Sequence, residues 1–214
     1  MHGDRVLFID GEALVIDKPA GLPVDRPRNG SISLENHLES LKFGFKRWPT
    51  AVHRLDRDTS GCLLLSRNPK AHARFQQAFE AGLVEKRYLA VLNGLVEGEG
   101  MIDLPLAKVS TREEGWRIVA DPAGKAARTA WRALRHEDGR TLVEFRPETG
   151  RTHQIRVHAA TGLNAPVVGD LVYGAGEEGG MLLHAASLTV PRGDNKDPIT
   201  AKAPVPDRFG AFRD

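Results

Sequence analysis

Short apolar runs broken by turn signals organise this chain. Val6 to Ile9 and Ala13 to Ile16 are β-rich and flank Asp10-Gly11, a two-residue hairpin signal. Lys18 to Pro23 then breaks regular structure with two prolines and a glycine, and Arg26 to Ser31 continues as a polar loop. Ser33 is placed to cap a helix from about Leu34 to Phe43. Ala51 to Gly61 has no clean period and reads as a loop, followed by a short buried strand at Cys62 to Leu65. Asn68-Pro69 opens a helix whose apolar face is Ala73, Phe75, Ala78, Phe79 and Leu83, with Gly82 as its C-terminal cap. Strand patterning returns at Lys86 to Leu95, and Glu97 to Gly100 reads as a turn. Further strands are expected at Trp116 to Ala120, Arg128 to Leu134 and Thr141 to Phe145, with Asp138-Gly139 as a second hairpin turn. Gly150 to Ala160 reads as a short helix ending near Gly162, and Leu182 to Val190 and Ile199 to Ala203 as closing strands. Roughly eight to ten strands with few helices, in no strict βαβα order, predict an α+β fold with a largely antiparallel or mixed sheet.

Composition changes this picture little. Hydrophobic residues are 41% and charged residues 27%, ordinary globular values. No apolar run approaches the roughly 20 residues of a membrane-spanning helix, and no targeting segment is recognisable. The single cysteine, Cys62, excludes a disulfide framework, so a reducing cytoplasm is the expected compartment. Thirty basic against 28 acidic residues decide nothing about a nucleic-acid partner.

The chemistry concentrates in His53-Arg54-Leu55-Asp56-Arg57-Asp58-Thr59-Ser60-Gly61. Two carboxylates two residues apart would point the same way if extended, and each would disfavour ionisation of the other. The same residues also suit a capped turn with a surface ion pair. The eight histidines suggest no metal site, because His153 and His158 are off the i,i+4 spacing and no cysteines or glutamates complete a ligand set.

His53 to Gly61 resembles the HRLDxxTSG signature of the RluA-type RNA pseudouridine synthases. Four further segments resemble that family's elements in the same order: Lys18 to Leu22 (KPAGL), Lys86 to Ala90 (K-x-Y-x-A), Thr149 to His158 (TGRTHQIRVH), and Leu182 to Ala185 with Gly169, Asp170 and Tyr173 upstream. The resemblance spans about Val6 to Phe209. It implies one catalytic domain over 1–214, a long bent sheet flanked by helices and loops, and an active cleft at the sheet's middle. Only five residues precede Val6, so the N-terminal S4-type RNA-binding domain of many relatives is expected to be absent.

The implied reaction turns a uridine of ribosomal and/or transfer RNA into its C-glycoside isomer, with neither metal nor organic cofactor. Asp56 would be the nucleophile, or the base that gives a glycal. Arg151 matches the arginine that pairs with the catalytic Asp, and Tyr88 the tyrosine that lies on the target base. Leu183 matches an apolar position near that base. His53, Arg54, Arg57 and Thr59 flank Asp56 as candidate RNA contacts. Arg67, Lys70, Arg74, Lys86 and Arg87 are a candidate phosphate-tracking edge. A stem-loop is the expected target, because its bases are already partly unstacked. No protein partner is implied, so a monomer is expected. The rival readings are a hydrolase using a carboxylate pair, and a non-catalytic RNA-binding protein or RNA chaperone on the same fold.

Overall fold

The computed structural model describes residues 3–27, 29–111, 115–193 and 196–213. Arg28, within the polar loop expected at Arg26 to Ser31, lies outside them. Two compact units are present. One comprises residues 1–86 and 185–204, the other residues 87–184 and 205–214.

In the first unit, β1 (Val6–Ile9) and β2 (Ala13–Lys18) form the expected hairpin, with Ile9 opposite Leu14. Asp10 shapes its turn, because Oδ1 accepts the backbone N–H groups of Glu12 and Ala13, each at 2.8 Å. β2 pairs antiparallel with β4 (Ser60–Ser66), from Ala13 opposite Ser66 to Lys18 opposite Gly61. The two-residue β3 (Thr50–Ala51) adds to β4. β11 (Leu183–Val190), which contributes Ala185 onward to this unit, carries β12 (Ile199–Lys202) on its edge.

Helix α1 (Pro69–Glu80) starts as expected: Asn68 Oδ1 accepts from Ala71 N at 2.9 Å, and proline holds the first helical position. It buries Ala71, Phe75 and Ala78 in a core shared with Ala13, Val15, Leu64, Leu188, Val190 and Ile199. Leu83 was expected on this face and is instead 61% exposed. The helix ends at Glu80, and Gly82 at φ +70° turns the chain, so the period no longer applies at Leu83.

The helix expected from Leu34 to Phe43 is one 3₁₀ turn, Leu34–His37, followed by further i→i+3 turns. Only Leu34 and Leu41 are buried in this stretch, too few to give an α-helix an apolar face.

In the second unit, strands run in the order β5 (Glu85–Asn93, from Arg87 on), β10 (Arg140–Pro147), β9 (Arg128–Glu137) and β6 (Glu99–Asp103). All three pairings are antiparallel. Asp138 and Gly139 join β9 to β10 with φ of +48° and +73°, the two left-handed positions of a type I′ turn. β7 (Leu106–Thr111) and β8 (Gly115–Ala120) make a separate ribbon. Of these, β3, β6 and β7 were not expected. β3 is two residues long, and β6 and β7 each bury one residue, so none carries an apolar pattern.

The helix expected at Gly150 to Ala160 is α only over α2 (Gln154–Val157), then opens into a π-type turn, His158–Gly162. His153 holds φ +54°, a left-handed conformation that delays the start. The expected α+β class is observed. No helix among the described residues is long and apolar enough to cross a membrane.

Cys62 is buried, with Sγ 3.8 Å from Ala186 O and 3.7 Å from Ala201 O, and burial pushes its thiol up to about 12. Its neighbour Gly61 has φ +107°, and a Cβ there would sit 2.2 Å from the Ala185 carbonyl oxygen. Gly61→Ala is therefore expected to cost about 3 kcal/mol or more of unfolding free energy, read by urea denaturation.

Candidate active site

The His53 to Gly61 segment is a built loop. Leu55 is buried and anchors it from below. Thr59 N donates to Asp56 O at 3.1 Å, closing a turn whose first corner is Asp56. Asp56 is partly exposed at that corner. Asp58 is taken up by its neighbour: Arg57 Nε and Nη2 reach its two carboxylate oxygens at 3.0 Å each. Two candidate carboxylates thus divide into one held by an arginine and one set at the corner of the turn.

Lys18 holds this turn from beneath. It is completely buried, and its ammonium donates to Pro19 O at 2.8 Å, Leu22 O at 2.9 Å and Arg57 O at 3.0 Å. Three donors meet three carbonyls, the full capacity of a lysine. One end of this clamp is the loop from Pro19 to Leu22, and the other is the residue after Asp56. Lys18 was visible in the sequence as part of a motif, but its duty was not. The available signal was a lysine ending a strand that is otherwise almost wholly interior.

His53 also holds the loop. Its Nε2 accepts from Leu64 N at 3.0 Å, and its ring stacks on Phe79 at 4.7 Å between centroids. A ring nitrogen that accepts is unprotonated. Burial, with Lys86 adding repulsion, lowers His53 to about 3, against a hydrogen bond to the Arg54 backbone that opposes the shift. His53 through its ring and Thr59 through its backbone N–H thus fasten the loop, and the Thr59 side chain is buried within it. Arg54 is different. It is exposed and bridges Asp25 at 3.0 Å, a solvent-screened pair open to exchange for a phosphate.

The expected basic edge is largely spent on other work. Arg67 is buried and donates to Asp10 O, Lys42 O and Phe43 O. Arg74 pairs with Glu12 at 2.7 Å, and Arg87 pairs with Glu144. Burial lowers the Lys86 ammonium below its ordinary value. Only Lys70 of the five is exposed and outside these pairs.

Tyr88, Arg151 and Leu183 belong to the second unit. Tyr88 lies opposite Phe145 across β5 and β10, partly exposed, and packs on a cluster that includes Phe145 and Leu183. Leu183 is 3% exposed within that cluster, so it backs an aromatic surface from below.

Arg151 is exposed, with Nε donating to Ala126 O at 3.0 Å. Gln154 sets its backbone. Gln154 Oε1 accepts from Arg151 N at 2.9 Å and Thr149 Oγ1 at 2.8 Å, while Nε2 donates to Arg128 O and Thr129 Oγ1. All four amide valences are used. His158 continues the network through Thr129 Oγ1 at 2.8 Å and Leu104 O at 3.1 Å. Buried Arg156 meets Asp170 through two bonds of 2.7 Å, and Asp170 Oδ1 also accepts from Val172 N and Tyr173 N. The Thr149 to His158 motif is therefore mostly a scaffold that presents Arg151. Among the described residues, no three His, Cys, Asp or Glu side chains converge as metal ligands would.

The fold has counterparts among solved structures. Human RNA pseudouridylate synthase domain containing 1 superposes with a TM-score of 0.76 at 28% identity, over 93% of this chain and 82% of that one. Human RNA pseudouridylate synthase domain containing 4 shares the fold, with a TM-score of 0.79 at 24% identity over 96% of this chain and 90% of that one. The model of the RNA pseudouridylate synthase family matches residues 12–161. An uncharacterized RNA pseudouridine synthase of Zymomonas mobilis is 62% identical over 209 residues, 96% of this chain and 95% of that protein. The ribosomal large subunit pseudouridine synthase D of the same organism is 36% identical over 178 residues, 79% of this chain but 56% of that protein. The chain belongs to the RNA pseudouridylate synthase family, in its RluA-type branch, and is an isomerase acting on uridine in RNA.

Lys18→Met is expected to leave three carbonyls without their donor, lowering unfolding free energy by about 2–4 kcal/mol and reducing turnover more than RNA affinity. Urea denaturation and steady-state kinetics check both effects. His53 makes stability pH-dependent. Unfolded His53 takes a proton near 6.5 and folded His53 only near 3, so its contribution is complete above about 6.5 and is lost as pH falls toward 3. Wild type should therefore lose stability faster than His53→Gln between about pH 6.5 and 5, by up to about 1.4 kcal/mol per unit. Parallel slopes in urea melts would remove His53 as the cause.

Proposed function

We propose that this enzyme isomerises one or more uridines in a stem-loop of ribosomal and/or transfer RNA, with Asp56 at the reacting sugar. The carrying observation is the turn itself. Asp56 stands at its first corner, clamped through Arg57 by Lys18, while Asp58 is engaged by Arg57. One positioned carboxylate suits a reaction in which nothing is hydrolysed. The N1–C1′ bond breaks, the uracil turns over, C5 bonds to C1′, and the C5 proton leaves while N1 gains one.

Asp56 serves either by trapping the electron-poor C1′, as glycosidase carboxylates do, or by taking a sugar proton to give a glycal. Tyr88 supplies an aromatic face for the extruded base, supported by its packing on the cluster that includes Leu183. Arg151 supplies a guanidinium that favours the ionised carboxylate. Arg54 takes a neighbouring phosphate by leaving Asp25, and Arg57 serves indirectly through Asp58. The engagement of Asp58 counts against a hydrolytic carboxylate pair. Asp56, Tyr88 and Arg151 are all present in the sequence, which counts against a binding protein without activity. A monomer acting in the cytoplasm completes this reading.

The test uses unmodified ribosomal and transfer RNA carrying tritium at uracil C5. Wild type should release tritium, and Asp56→Asn should do so at least about 10³-fold more slowly. Equal release by both proteins would remove Asp56 from the chemistry.

A further inference from the structure

A second feature of the first unit has the chemistry of an RNA-docking face. Lys42-Phe43-Gly44-Phe45-Lys46-Arg47-Trp48 carries three cations, three aromatic side chains and no acid. Phe43, Phe45 and Trp48 are 41%, 40% and 60% exposed, and Lys46 and Arg47 are exposed beside them. Aromatic residues of this size are not left in water for the sake of folding, and here two of them are held in place. Trp48 Nε1 donates to Glu39 Oε2 at 2.7 Å, which fixes the indole by its polar edge. Phe45 lies under the buried Arg67 guanidinium, 3.6 Å from the ring centroid, which fixes that ring by one face. A cavity of about 260 Å³ opens alongside, lined by Trp48, Arg47, Thr50, Arg67, Asn68 and His72. Exposed Lys70 follows the lining residue Pro69 at the start of α1.

We propose that this face docks an unpaired stretch of the RNA substrate. Bases stack on Trp48 and Phe45, and phosphates meet Lys46, Arg47 and Lys70. Lys42 is paired with Glu39, and the flat aromatic faces together with the exposed cations Lys46, Arg47 and Lys70 fit single-stranded nucleic acid, since every base has a π-face and every linkage a negative charge. The inference rests on the isomerase reading for the identity of the RNA. It adds where, on this chain, nucleotides beyond the target are held. Trp48 and Thr50 adjoin the Ser66 end of β4, whereas the Asp56 turn feeds its Ser60 end. Seven residues of strand separate them, about 20 Å, so the docked bases lie several nucleotides from the reacting uridine.

The test is done in full-length protein carrying Asp56→Asn, so that binding is measured without turnover. The probe is an unstructured RNA of about twelve nucleotides, with a duplex of the same sequence beside it. Trp48→Ala is expected to weaken single-strand binding by about 5- to 150-fold, and Trp48→Phe to keep most of it. Lys46→Ala with Arg47→Ala is expected to flatten the slope of log affinity against log salt by about 1.4, two phosphate contacts' worth. Thermal melts of each variant establish that it folds. Binding by Trp48→Ala equal to that of its parent would overturn the proposal. So would a loss in Trp48→Phe as large as in Trp48→Ala, or a duplex equally dependent on Trp48. Tritium release by wild type separates the two readings. Release together with Trp48-independent binding sinks only the docking face, and Trp48-dependent binding without release sinks only the isomerase chemistry.

Discussion

A lysine ammonium with no exposed surface is the constraint on which the Asp56 turn depends. Burying a charge is costly unless every donor is met, and Lys18 meets the cost with three carbonyls. Those carbonyls belong to two stretches of chain far apart in sequence, so neither can move without stranding a cation in the interior. The turn is further pinned by Leu55 below, by the Thr59 N–H within, and by a glycine at position 61 where β4 closes on the Ala185 backbone. A carboxylate in the role proposed for Asp56 gains from such rigidity because its orientation is set before the substrate arrives.

The second unit solves a similar problem with a neutral amide at its centre. Gln154 spends all four hydrogen-bonding valences on the backbone and hydroxyls around Arg151. His158 and the Arg156–Asp170 pair extend the interior network through Thr129 and the Val172–Tyr173 turn. A network satisfied at every member is stiff and specific, whereas one missing partner makes it a liability. The residues that look most chemical in the motif, two histidines and two arginines, are therefore mainly its framing, with Arg151 the one turned outward.

The sequence was most legible where local rules decide the structure. The Asp10 and Asp138-Gly139 turns, the Asn68-Pro69 helix start, and strands β1, β9 and β10 were readable because a cap or a turn dipeptide acts within a few residues. Elements held by tertiary contact were not. β6 and β7 bury one residue each and exist by pairing with neighbours. The 34–43 segment has leucines at a plausible spacing but only two of them find an interior. At the site, the resemblance pointed to the loop and the carboxylate, yet the work of Lys18, His53 and Gln154 depends on which carbonyl or amide lies opposite each. That information is three-dimensional, and no periodicity encodes it.

Cys62 offers a use beyond its place in the core. Its thiol is enclosed beneath the Ala186 and Ala201 carbonyls, one residue from the glycine that lets β4 approach its neighbour, and burial holds it protonated far above neutral pH. A thiol reagent needs the thiolate, and needs to reach it. In the closed protein it has neither. As the chain's sole cysteine, Cys62 is thus a built-in clock for the breathing of the strand that carries the Asp56 loop, ticking only when that strand parts from its neighbours.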